Sequence, residues 1–164
     1  MDINKKYYDY VHVHEMVNDI SFKMYKDNWR PDYIVGLTRG GLIPAVIMSN
    51  TLGIPMETLK VSLRDSDNGP ESNLWMAEDA YNGKNILIVD DINDTGATLD
   101  WITNDWQNSC HPSDAHWLQV WGNNVKIAVL VDNLSSKFSR CVDYCAVSIN
   151  KAEKDVWIVY PWER

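Results

Sequence analysis

The chain has 164 residues, 23% charged and 45% hydrophobic, which describes an ordinary folded protein long enough to bury a core as one domain without disulfide or metal staples. Its net charge of −8 and pI near 4.8 exclude a surface built to hold nucleic acid, since phosphate contacts need clustered Lys and Arg. A polyanionic substrate would then be met by local dipoles and a metal rather than by the overall field.

Apolar runs alternate with stretches of helical periodicity, the pattern of an α/β fold with a mainly parallel sheet flanked by helices. Residues 8–13 read as a short edge strand. Over residues 14–27, Val17, Ile20 and Met24 recur at helical spacing, and Trp29-Arg30-Pro31 ends the helix. Residues 33–37 read as a core strand, 41–52 as a helix closed by Gly53, and 55–63 as the next strand. Residues 64–80 are polar and turn-rich, too long for a simple connection, and read as a functional loop. Ile86 to Val89 form a strand buried on both faces, followed by a helix that continues from Asp100 to about Trp106. Residues 126–132, 142–149 and 156–160 read as three more strands. No apolar run approaches bilayer length and no signal-like stretch follows Met1, so the expectation is a cytoplasmic protein without a membrane partner. Cys110, Cys141 and Cys145 are an odd count without a CxxC, and reduced thiols are expected.

Chemistry concentrates in NILIVDDINDTGATLD, residues 85–100. A buried strand ends in two carboxylates, Asp90 and Asp91, at the end of a parallel sheet where ligands bind. Asp94, Thr95, Gly96, Ala97 and Thr98 then form a tight turn into a helix, with hydroxyls and a small-residue backbone that suit a phosphate. A second strand, small loop and helix occurs at Thr38-Arg39-Gly40-Gly41, where Arg39 adds a fork of donors for an anion. Near the C-terminus stands Val156-Trp157-Ile158-Val159-Tyr160-Pro161-Trp162-Glu163, whose tryptophans taken alone suit core packing.

The pattern D-D-x-x-D-T-G-x-T after an apolar strand resembles the phosphoribosyl pyrophosphate (PRPP) motif of the type I phosphoribosyltransferases. With Thr38-Arg39-Gly40 and W-I-x-x-P-W, the chain resembles the xanthine-guanine and hypoxanthine (6-oxopurine) branch over most of its length. The resemblance implies the type I fold with a small hood formed by the chain ends. It also implies transfer of ribose 5-phosphate from PRPP to hypoxanthine, guanine or xanthine, with Mg²⁺ as cofactor and a homodimer or homotetramer as the assembly. Residue by residue, it assigns PRPP to Asp90, Asp91 and Asp94 through Thr98, the acid pair at the ribose hydroxyls and residues 94–98 at the 5-phosphate, and pyrophosphate to Thr38, Arg39 and Gly40. Asp91 and Asp90 would hold the metal, and Asp94 would act as general base. Ile92, Asn133, Trp157 and Ile158 would meet the base, Trp157 by stacking and Ile158 through its backbone. Trp162 would be structural, residues 62–68 would form a mobile active-site loop, and the Thr38-Arg39 peptide would be cis.

The chain departs from the family in two places. Asn133 stands where the family carries a lysine that donates to the purine 6-oxygen, and an amide can donate or accept, which leaves adenine open as a substrate. Lys126 or Lys137 would replace that lysine only in a different register. Residues 107–124 form an insertion whose tryptophans read as packing or a subunit contact, with His111 and His116 away from the expected site. Two further readings stand beside the enzyme: a PRPP-binding regulator without catalysis, and a phosphoribosyltransferase for adenine or a non-purine acceptor.

Overall fold

The computed structural model describes residues 3–61 and 73–163. The elements are β1 (Lys5–Tyr7), α1 (Tyr10–Lys26), β2 (Tyr33–Thr38), α2 (Leu42–Leu52), β3 (Met56–Lys60), α3 (Leu74–Tyr81), β4 (Ile86–Asn93), α4 (Ala97–Ser109), β5 (Val125–Asn133), β6 (Tyr144–Ile149) and β7 (Trp157–Val159). Five strands form one parallel sheet in the order β3-β2-β4-β5-β6, and β1 pairs with β7 in a separate parallel ribbon.

Alternation along the central strands explains the layers. Ile86 and Ile88 of β4 join Leu99, Ile102, Trp106 and Trp117 on the face covered by α3 and α4. Leu87 and Val89 join Val13, Val17, Ile20 and Met48 on the face covered by α1 and α2. Burial on both faces is what a continuous apolar strand requires, and it places the strand ends at the surface.

Two expectations need correction. Residues 10–13 are helical rather than part of an edge strand. The side chain of Asp9 accepts from His12 N at 2.8 Å and His12 Nδ1 accepts from Asp9 N at 3.2 Å, a reciprocal cap that starts α1 at Tyr10. Val13, Met16, Val17, Ile20 and Met24 then share its buried face, so the short alternation of aromatics and valines misled. Residues 74–80 belong to α3, whose Met76, Ala77 and Ala80 are buried, rather than to a long loop. Positions 62–72, including the expected mobile loop, lie outside the described residues. In the insertion, Trp117 is fully buried and its indole N–H donates to the Cys110 carbonyl at 2.8 Å. Its ring stacks on Trp121 at 5.7 Å, so this tryptophan packs the core.

Candidate active site

β2 connects outward to β3, whereas β4 lies on its other side, so the strand order reverses between β2 and β4. At such a switch point two loops leave in opposite directions and a crevice opens at the strand ends. A cleft of about 920 Å³ occupies this place. Thr38, Arg39 and Gly40 line it from the β2 side, and Asp90 through Thr98 from the β4 side. Lys151, Trp157, Ile158, Tyr160, Trp162 and Glu163 line it from the C-terminal segment.

The two loops fit together closely. The Thr38-Arg39 peptide is cis. A methyl group on Gly40 would run into the Asp91 carboxylate, and one on Gly41 into the Val89 carbonyl, so glycine lets the first loop lie against the acid pair. Gly96 has φ +94°, and a side chain there would meet the backbone of Phe138. Thr95 Oγ1 accepts from Ala97 N at 3.2 Å and shapes the entry into α4, whose first turn lines the cleft and, as a helix start, suits an anion.

Asp90 and Asp91 sit on β4 itself, which runs through them to Asn93. Burial pushes the Asp90 carboxyl well above the usual carboxylate range, and the Asp91 charge beside it adds to the shift. Burial raises Asp91 as well. Each accepts one backbone N–H at 2.8 Å, Asp90 from Asp91 and Asp91 from Ile92. Tyr160, fully buried, donates its hydroxyl to the Asp91 carbonyl at 2.7 Å. Burial and then Asp91 hold that phenol well above its ordinary pKa, so it remains a donor.

The raised acid pair has a testable consequence. A carboxyl whose folded pKa lies above its unfolded value holds its proton more tightly in the folded state. Its ionisation therefore lowers stability as pH rises from the unfolded pKa towards the folded one. Asp90→Asn is expected to raise the melting temperature of the ligand-free protein by a few degrees at pH 7. The gain should shrink towards pH 4, near the ordinary aspartate value of about 3.9. Melting curves from pH 4 to 8 check this, and a gain independent of pH would remove ionisation as its cause.

A phosphoribosyl transferase domain model matches residues 5–163. The chain belongs to the phosphoribosyltransferase family. It is 30% identical to the hypoxanthine-guanine phosphoribosyltransferase of Schizosaccharomyces pombe, over 99% of this chain and 91% of that one. It is 24% identical to xanthine phosphoribosyltransferase 1 of Saccharomyces cerevisiae, over 97% and 90%. Among solved structures, a purine phosphoribosyltransferase from Pyrococcus horikoshii Ot3 superposes with a TM-score of 0.70 at 28% identity, covering 99% of this chain and 96% of that one.

Within this phosphoribosyltransferase domain, the structure brings together all the residues expected to meet phosphate and pyrophosphate, and Ile92, Trp157 and Ile158 also line the cleft. Trp157 is 46% exposed, leaving a ring face available. Trp157 N donates to Asn4 O and Val159 O accepts from Tyr8 N, so the intervening Ile158 peptide groups turn away from β1. Trp162 stacks on Tyr160 at 4.7 Å, as a structural residue would, and also lines the cleft.

Asn133 is placed differently from expectation. It is 5% exposed and does not line the cleft. Its Nδ2 donates to the Asp94 carbonyl at 2.9 Å, and its Oδ1 accepts from Ser135 Oγ at 2.9 Å and Lys151 N at 3.0 Å. Lys126 and Lys137 also lie off the cleft: the first reaches Tyr144 Oη at 3.3 Å, and the second joins Thr95 O through its backbone. Among the described residues, Lys151 joins Arg39 on the cleft wall, and its Nζ lies 3.0 Å from Asp94 Oδ1. Sequence reading passed over it because it was aligned to no motif. Its position two residues beyond β6, at the ligand-binding end of a parallel strand, is the signal that would have found it.

Proposed function

We propose that this protein transfers the 5-phosphoribosyl group of PRPP to a 6-oxopurine, hypoxanthine, guanine or xanthine, giving the nucleoside monophosphate and pyrophosphate in purine salvage. The observation that carries the reading is the convergence of a half-buried acid pair, an N-terminal helix turn and an arginine loop at one switch point, beside an exposed tryptophan. The substrates in the names of the yeast relatives agree with it.

The chemistry follows from where charge develops. Departure of pyrophosphate leaves an oxocarbenium-like ribosyl centre, and preorganised donors at the leaving group lower that barrier. Residues 94–98 grip the 5-phosphate through the first turn of α4, while Thr38, Arg39 and Gly40 receive the pyrophosphate. Asp90 and Asp91 hold the ribose hydroxyls. The acid pair suits Mg²⁺, because two adjacent, half-buried carboxyls with raised pKa values gain from a cation. No group of three or more His, Cys, Asp or Glu among the described residues is arranged to hold a metal, and Mg²⁺ takes few carboxylates, keeping waters and substrate oxygens. When bound there, it neutralises the leaving pyrophosphate. Trp157 stacks on the base and the Ile158 peptide groups read its edge. Asp94 accepts the proton that the purine imidazole ring releases as the ribosyl bond forms.

The reading takes residues 1–164 as one catalytic domain, supported by a family match that spans nearly all of them. A cytoplasmic location fits three cysteines that are all free. A homodimer or homotetramer is the expected assembly, and light scattering on the purified protein measures it.

The reading is tested by incubating the protein with PRPP and Mg²⁺ against hypoxanthine, guanine, xanthine and adenine, with products followed by chromatography. Monophosphates of the oxopurines are expected. Adenine as the preferred base would redirect the assignment to that acceptor, and PRPP binding without consumption of any base would make the protein a regulator.

A further inference from the structure

We infer that Lys151 is the specificity-determining residue of the base subsite, reading the exocyclic group at carbon 6 of the purine from the β6–β7 turn. The inference rests on the purine reading above and goes beyond it by assigning the choice of base to a single side chain.

Three observations place the ammonium. Its Nζ lies 3.0 Å from Asp94 Oδ1, and the side chain is only 16% exposed. It also lies 5.7 Å from the centre of the Trp157 ring. Both contacts border the same cleft. The third observation is the lock behind it: one carboxamide, Asn133, donates to the Asp94 carbonyl and accepts from the Lys151 backbone N–H. The β4–α4 turn and the β6–β7 turn are thus tied at a fixed distance, so lysine and aspartate approach as a unit.

Purine geometry then sets what this unit selects. Position 7 of the ring and the substituent on carbon 6 are neighbours on one edge of the base. In the free oxopurine, position 7 presents the N–H whose proton Asp94 takes and the oxo substituent is an acceptor, whereas in adenine the substituent becomes an amino donor. If Asp94 faces position 7, the group beside Asp94 faces the carbon 6 substituent. An ammonium has donors and no lone pair. It accordingly pairs with an oxo group and leaves an amino group opposed by a second donor. Asn133 offers no relief to adenine, because its Oδ1 already accepts from Ser135 Oγ and Lys151 N and the side chain is buried. The ambiguity of an amide at that position is resolved by its use as a bracket.

The test compares wild type, Lys151→Met, Lys151→Arg and the off-cleft control Lys126→Met, with hypoxanthine and adenine at saturating PRPP. PRPP affinity is measured separately by calorimetry, and melting temperature reports folding. Lys151→Met is expected to lower kcat/KM for hypoxanthine on the order of 10- to 100-fold. The KM for PRPP should stay within about twofold and the adenine rate should not fall, so the hypoxanthine-to-adenine ratio collapses. Lys151→Arg should restore part of the ratio, and Lys126→Met should leave it unchanged. Equal losses on both bases in Lys151→Met would overturn the assignment, since that is the signature of a residue that only positions Asp94. If Lys151→Met does not fold, the ratio in Lys151→Gln decides in the same way. Wild-type turnover of oxopurines with an unmoved ratio in the variants removes this assignment alone. Absence of turnover with every purine removes the parent reading and this one with it.

Discussion

Asp91→Ala is expected to lower turnover by at least about a thousandfold while leaving the fold intact. Asp91 lies where three parts of the site meet: its carboxylate lies against Gly40 of the β2–α2 loop, its neighbour is Asp90, and its carbonyl receives Tyr160. Removing the carboxylate deletes the charge that would hold ribose hydroxyls and Mg²⁺, and it opens a gap against Gly40 into which the loop can sag. Stability should not suffer. The pair carries a burial cost and mutual repulsion, both visible in the upward displacement of the two carboxyls, so loss of one charge relieves the other. Steady-state rates and thermal melts on the same preparation separate these effects. Wild-type turnover in the variant would remove Asp91 from the mechanism, and a melting temperature that fell with activity would make it a structural residue.

Trp117→Ala should cost about 3–5 kcal/mol of folding stability, the usual toll for truncating a buried tryptophan. Trp117 lies in the insertion yet is fully enclosed, stacked on Trp121, beside Tyr81 and in the same core cluster as Trp106. Its N–H satisfies the Cys110 carbonyl, which would be left without that donor. The same core layer contains Leu99 and Ile102 of α4, the helix whose first turn lines the cleft. The insertion therefore supports the site from behind. Urea unfolding measures the loss, and a change below about 1 kcal/mol would mark the insertion as an accessory to the core.

The local elements of the site were legible because each is written in a short stretch of chain. The apolar run Ile86 to Val89, the adjacent acids and the Asp-Thr-Gly turn specify a buried strand, charges at its end and a helix start with little help from elsewhere. Gly53 closing α2 in a left-handed conformation is equally local. Errors arose where two local signals competed. Residues 10–13 carry aromatics and valines that favour a strand, but Asp9 and His12 form a cap only once the helix exists, and the buried stripe from Val13 to Met24 decides in its favour. In 74–80 the short apolar face of α3 is hidden among polar neighbours and becomes visible only against the sheet.

The sequence by itself determined the class of fold, the position of the acid pair and phosphate turn, and the family to which they belong. Only the tertiary structure decided which lysine reaches the cleft. Lys151 is 57 residues from Asp94 in the chain, and its approach depends on strand order, on the exit of β6 next to β5, and on Asn133 bridging the two turns. No periodicity or spacing encodes such a contact, because the distance between two loops is set by how the sheet packs. Asn133 likewise reads from sequence as a group facing substrate, and only its filled hydrogen bonds reveal a bracket. Chemistry carried by adjacent residues is written in the chain, whereas chemistry carried by residues that meet across a sheet is written in its topology.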